Sequence, residues 1–108
     1  MTHTSLGRVS VSTPGTPVAL STDPTKHVSK LFVQVIPGLT GKCYLGNPTM
    51  QKSTLAGVSR VLWPNPTGGV SDQFFLEAQD GKDSIPLSEY AVDVDVPGEG
   101  LLVTYWTE

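Results

Sequence analysis

The sequence predicts an all-β domain: a single antiparallel β-sandwich or small barrel of seven to eight short strands, with an extended N-terminal arm. Three observations carry that expectation. Among 108 residues, 11 Gly and 9 Pro stand singly between apolar runs, well above the roughly 12% that average composition supplies. Such spacing punctuates many short strands rather than a linker. Apolar side chains recur with a period of two, as a sheet with one wet face requires. Helix signals are thin: the best stretch, "PTMQKSTLAGV", opens beside Pro48 and contains Gly57, which leaves room for one turn only.

The elements follow in order. Ser and Thr number 22, of which 11 fall in residues 1–29, so residues 1–16 read as a flexible polar arm and residues 17–108 as the folded domain. Strand signals lie at residues 8–12, 18–21, 30–36, 42–46, 58–63, 73–78, 90–96 and 100–106. In "KLFVQVIP", Leu31, Val33 and Val35 share one face. In "YAVDVDVPG", Tyr90, Val92, Val94 and Val96 point inward and Ala91, Asp93 and Asp95 face solvent. In "GLLVTYWTE", Leu101, Val103 and Tyr105 oppose Leu102, Thr104 and Trp106. "PGEG" reads as a tight hairpin between the last two strands, and "QDGKDS" as a second turn. "NPT" occurs at 47–49 and 65–67; proline in the middle position forbids glycosylation, so both initiate turns.

The formal charge of −3 conceals a split. Residues 1–71 carry Arg8, Lys26, Lys30, Lys42, Lys52 and Arg60 against Asp23, and residues 72–108 carry nine acids against Lys82. Either neighbouring copies or a partner complement one another electrostatically, or strands from both halves interleave and the split vanishes. The basic residues do not cluster with aromatics, which argues against nucleic acid as a partner. No apolar run reaches the ~18 residues of a membrane-spanning helix. The N-terminus lacks the apolar stretch of a signal peptide, so synthesis and assembly in the cytoplasm are expected.

Several stretches carry residues found in chemical sites. "PGLTGKCYLGN" holds a Gly-Lys pair, but a phosphate loop needs four residues between its first glycine and Gly-Lys, then Ser or Thr, then a helix. Here two residues separate Gly38 from Gly41, and Cys43 follows Lys42. The stretch reads as a turn between two strands, with Cys43 directed into the core and Lys42 toward solvent or a partner. Cys43 is the single cysteine, so no disulfide framework exists, and its alternation with Lys42 and Tyr44 marks a buried structural thiol rather than a nucleophile served by His27 or His3. No serine sits in a nucleophile elbow. Asp80, Asp83, Asp93 and Asp95 lack the spacing of a calcium loop. No metal, cofactor or catalytic residue is expected, and no enzyme.

The aromatic set points elsewhere. Trp106 stands close to the last residue, as a core plug or a subunit contact, and "RVLWPNPTGGVSDQFFLEA" has the apolar side chains of a loop that reaches across a neighbour. The residues expected to contact a partner or another subunit are Trp63, Phe74, Trp106, Arg8, Arg60 and Lys42. The rival expectation is a carbohydrate-binding or adhesin-like module with Trp63, Trp106 or Tyr44 as stacking platforms.

Three segments carry a resemblance: "GTPVALS", then "VQVIPGLTGKCYLGN", then "FFLEAQDGKDSIPLSEYAVDVDVPGEGLLVTYW". Over residues 15–106 the chain resembles the small all-β proteins encoded beside the major capsid protein of tailed bacteriophages. Their pattern is a G-T-P-V-x-L opening, an N-T-G-x-[VI]-Y-V-G turn and strand, and a closing Y-V-D-x-x-x-x-G-E-G-V-x-V-x-Y. Leu39 stands where the family's turn has Asn. The resemblance implies a virion structural protein, in the first place a capsid decoration (cement) protein on the capsid exterior, with a place elsewhere on the head or neck as the alternative. Its partner would be the major capsid protein, its form a homo-oligomer with a trimer as the first expectation, and it would have no catalytic residues.

Overall fold

Alternation in two segments decides the architecture. Leu31, Val33, Val35, Leu101 and Val103 are all buried while Lys30, Phe32, Gln34, Leu102 and Thr104 beside them are not, so both segments are strands with one face in the core. A computed structural model describes residues 2–36, 39–65, 71–79 and 81–108. Its strands are β1 (Thr2–Ser10), β2 (Val18–Ala19), β3 (His27–Val28), β4 (Lys30–Val35), β5 (Cys43–Gln51), β6 (Ala56–Leu62), β7 (Gln73–Glu77), β8 (Ile85–Pro86), β9 (Ala91–Val94) and β10 (Gly100–Thr107). A 3-10 turn, Leu87–Glu89, precedes β9.

All pairings are antiparallel, and the class is all-β as the sequence predicts. One four-stranded sheet has the order β1-β10-β4-β7 and the other β2-β9-β5-β6, while β3 and β8 form a two-stranded pair. The buried side chains of β4 and β10 share one core with Cys43, Leu45, Leu62, Val92 and Val94 from the second sheet, closed by Val11, Leu20, Val28 and Leu87. Each fully buried Leu or Val is worth about 1.5–3 kcal/mol relative to exposure. The two charge halves of the sequence interleave within both sheets, and Lys30–Glu77 (4.0 Å) and Lys52–Asp95 (3.2 Å) pair across them.

Four expectations are corrected. The arm expected at residues 1–16 is, over Thr2–Ser10, a nine-residue strand paired along β10, with an irregularity between Ser5 and Gly7. Its Thr, Val and Ser side chains suit an edge strand as well as they suit a polar tail. "PGEG" makes a turn, with Glu99 N–H donating to Val96 O (3.2 Å) and Gly98 at φ 82°, but β9 and β10 lie in different sheets, so it is a corner and not a hairpin. The segment that offered one helical turn is instead the β5–β6 hairpin. The last correction concerns β9: Ala91 and Asp93 are fully buried rather than solvent-facing. Their face of the second sheet is covered, since Gly15 N–H donates to Asp93 Oδ1 (3.0 Å) and Met50 packs with Tyr44 and Ala91.

"PGLTGKCYLGN" is the second corner, joining β4 in one sheet to β5 in the other; Pro37 and Gly38 lie outside the described residues. The N–H groups of Thr40 and Gly41 donate to Glu99 Oε2 and Oε1 (3.1 and 2.9 Å). The anion held by this Gly-Lys stretch is therefore the chain's own carboxylate, reaching over from the other corner. A Cβ on Gly41 would lie 2.7 Å from Val96 Cγ2, so glycine permits the two corners to close.

Two backbone sites test this account. At Gly100 a Cβ would fall 1.9 Å from Val9 O, inside the β1–β10 ladder. Gly100→Ala is expected to cost about 3 kcal/mol or more in urea unfolding by forcing the strands apart. Leu55, at the β5–β6 hairpin tip, holds φ 62° with its side chain half exposed. Leu55→Gly relieves that strain and is expected to be neutral or to stabilise by up to about 1 kcal/mol in the same measurement.

Candidate functional site

The pleat that buries Leu31, Val33, Leu101 and Val103 sends their neighbours to the opposite face of the same sheet. Antiparallel register then arranges those neighbours in rows. One row runs His3, Trp106, Lys30, Glu77; the next runs Ser5, Thr104, Phe32, Phe75; a third runs Arg8, Leu102, Gln34, Gln73. Aromatic rings gather in the first two rows. His3 lies 5.2 Å from Trp106 between ring centroids, Phe75 meets Trp106 edge-on at 6.2 Å, and Phe32 lies 6.5 Å from Phe75. These separations are those of edge-to-face ring packing. Phe75 is 48% exposed and Leu102 38%, so the surface is apolar at its centre and rimmed by Lys30, Glu77 and Arg8.

Of the six expected contact residues, this face brings together Trp106 and Arg8. Arg8 sits at its margin, where Nη2 donates to Gly98 O (3.3 Å) and Nε to Ser10 Oγ (3.1 Å). Of the other four, Arg60 and Phe74 lie in the edge strands β6 and β7, Trp63 directly follows β6, and Lys42 directly precedes β5. Lys42 Nζ rests 4.9 Å from the Trp63 ring centroid, and the Arg60 guanidinium 4.9 Å from that of Phe74. Each is a cation held over a ring, so Lys42 is engaged within the chain. Trp63 remains the most exposed large apolar side chain among the described residues, at 58%. Residues 66–70, the middle of the loop expected to reach across a neighbour, lie outside the described residues, as does Asp80.

Phe74 is corrected by its neighbour. It is half-buried and packs against the core, whereas Phe75 faces outward opposite Phe32. The run "QFFLE" alternates too weakly to fix which phenylalanine points in. Phe32, Phe75, His3 and Leu102 share this face with Trp106 without being among the six expected residues. Phe32 carried a usable signal, since it lies on the opposite face from Leu31 and Val33. His3 carried none, because its place depends on pairing with a strand about 100 residues away.

The remaining chemical candidates resolve clearly. Cys43 is fully buried, its thiol is directed to Gly100 O at 3.6 Å, and burial chiefly, with the Glu99 and Asp95 charges, pushes its pKa up to about 12. Such a thiol is the opposite of an activated nucleophile. Tyr44 is also buried, which removes it as a stacking platform; its hydroxyl donates to Asp95 (3.1 and 3.2 Å to the two oxygens). Burial, then the Asp95 hydrogen bond and the carboxylate charges nearby, raise its pKa to about 12. The aspartates do not converge: Asp93 is buried, Asp95 pairs with Lys52 and Tyr44, and Asp83 accepts from the Glu108 N–H. Among the described residues no three His, Cys, Asp or Glu side chains are placed to hold a metal ion.

The thiol and the phenol set a pH dependence. Both are acids whose folded pKa lies above the ordinary values of 9.0 and 10.0, so the folded state retains protons that the unfolded state releases. Their stabilising contribution is complete below pH 9 and declines as pH rises toward 12. The urea midpoint is expected to fall across that window, and Cys43→Ala to shallow the fall. Thiol reagents are expected to label Cys43 slowly at pH 8 and rapidly once urea unfolds the chain; fast labelling of the native protein would contradict its burial. Comparison of the chain with protein-family models, with curated proteins and with solved structures finds no match.

Proposed function

We propose that this chain is a non-enzymatic virion structural protein of a tailed bacteriophage: a capsid decoration (cement) protein that binds the outside of the assembled shell. The observation that carries the reading is the aromatic face of Phe32, Phe75, Trp106, His3 and Leu102, which is built on four paired strands. Contiguous apolar surface with a polar rim suits burial against another protein. Rigid rings on a sheet cost little entropy to immobilise, which favours them as anchors. The sequence resemblance over residues 15–106 supports the same reading.

In this reading the face docks where adjacent major capsid protein subunits meet, and each copy bridges them mechanically. The protein acts as a homo-oligomer, proposed as a trimer, so that modest contacts from each copy add through multivalency. Lys30, Glu77 and Arg8 at the rim set orientation more than affinity. The buried, high-pKa thiol agrees with a role without covalent chemistry.

The test is to add purified protein to undecorated capsids assembled from the major capsid protein encoded beside it. Binding and a higher temperature of capsid disruption are expected. Trp106→Ala and Phe75→Ser are each expected to weaken binding about 10-fold or more, the scale of a central anchor, with little change in oligomer stability. Neither binding nor heat protection by the parent protein would overturn the proposal.

A further inference from the structure

A second surface, on the other sheet, has different chemistry. The β5–β6 ladder runs from Cys43↔Leu62 to Gly46↔Val58 and resumes only at Gln51↔Ala56, while β5 pairs with β9 no further than Gly46↔Ala91. Asn47, Pro48, Thr49 and Met50 therefore have no ladder partner among the described residues. Interrupted pairing of this kind leaves backbone N–H and C=O groups for other use and recurs beside functional sites. The interruption opens a recess of about 510 Å3, bounded on its far side by the 3-10 turn, within the size range of small-molecule sites.

Glycine is required at the base of this recess. A Cβ on Gly46 would lie 2.2 Å from Gly57 O, and one on Gly57, which holds φ 75°, would lie 2.7 Å from Asn47 Oδ1. The two strands thus approach backbone to backbone and leave the wall free of side chains. Around it stand the Asn47 amide, the hydroxyls of Ser59 and Tyr90, and the Glu89 carboxylate. Thr49 Oγ1 donates to Asn47 Oδ1 (3.0 Å) and so orients the amide with its N–H groups still available. The Ser59, Glu89 and Tyr90 side chains make no hydrogen bond or ion pair within the described residues.

We propose that this recess binds a neutral polyhydroxylated ligand, a saccharide. The argument is one of matching functional groups. Amide and hydroxyl groups both donate and accept, and a carboxylate accepts from two adjacent hydroxyls at once. The rings of Pro48, Pro86 and Tyr90 offer apolar surface to the C–H face of a sugar. Among the described residues Glu89 is the only charged side chain in the lining, which disfavours phosphates and acidic sugars. A lone carboxylate also falls short of the several oxygen ligands a calcium ion takes. The site lies apart from the aromatic face and does not depend on the capsid reading.

The experiment is a titration of the 15N-labelled full chain, followed by amide chemical shifts. The probes are methyl glucoside, methyl galactoside, methyl mannoside and N-acetylglucosamine, each to about 50 mM, the range that reveals millimolar affinity. Glucose 6-phosphate and calcium chloride serve as charged comparators. At least one neutral saccharide is expected to give saturable shifts at Asn47, Gly57, Ser59 and Glu89. Asn47→Ala and Glu89→Gln are each expected to weaken it about fivefold or more, the loss of one hydrogen bond, while the urea midpoint stays unchanged. The proposal is overturned if no neutral saccharide shifts these amides, if shifts centre on Trp63 or Trp106, or if either charged comparator perturbs the recess as strongly.

Discussion

Strand β10 is hydrogen-bonded on both sides, to β1 and to β4, and its strict alternation governs both faces of its sheet. Leu101, Val103 and Tyr105 enter the core, so Leu102, Thr104 and Trp106 must leave it. A one-residue slip would exchange the two sets and bury the Trp row while exposing the Leu–Val row. Core and aromatic face are therefore the two sides of a single register. Gly100 begins that register at a point where Val9 O leaves no room for a side chain.

The corners complete the arrangement. Of the connections that pass from one four-stranded sheet to the other, Glu99 ties two together, β4–β5 and β9–β10, through the Thr40 and Gly41 amides. A carboxylate accepting two backbone N–H groups satisfies donors that a corner would otherwise leave to water. On the covered face of the other sheet, Lys52 donates to Val94 O (2.6 Å) and to Asp95, and Gly15 N–H meets Asp93. Among the described residues the first sheet has polar fastening only along its margins, as at Arg8 and Lys30–Glu77, which leaves its centre apolar and open.

Strand positions were legible wherever alternation was clean, as in β4 and β10, and sheet membership was not. A Pro-Gly turn has the same chemistry whether it folds a hairpin or rounds a corner, so "PGEG" alone cannot say which sheet comes next. Polarity misled at Asp93, because nothing local reveals that Gly15 will cover it. The two-residue pair β3–β8 carries too little pattern to stand out. At the candidate site Trp106 was visible as an aromatic on the outward phase of a clear strand. Phe75 was obscured by Phe74, and His3 by a pairing between distant ends of the sequence.

The sheet order carries a consequence for synthesis. β10 is made last of the ten strands yet lies between β1 and β4, so while the chain emerges from the ribosome the first sheet lacks its central member. Until residues 100–107 are free, β1 has no ladder to join and β4 has β7 on one side only. The long interval between pairing β1 and β10 makes closure an event of high contact order. During that delay the future core faces of β4 and β7 and the rings of Phe32 and Phe75 are exposed together, apolar surface of the kind that makes an unfinished chain prone to aggregate.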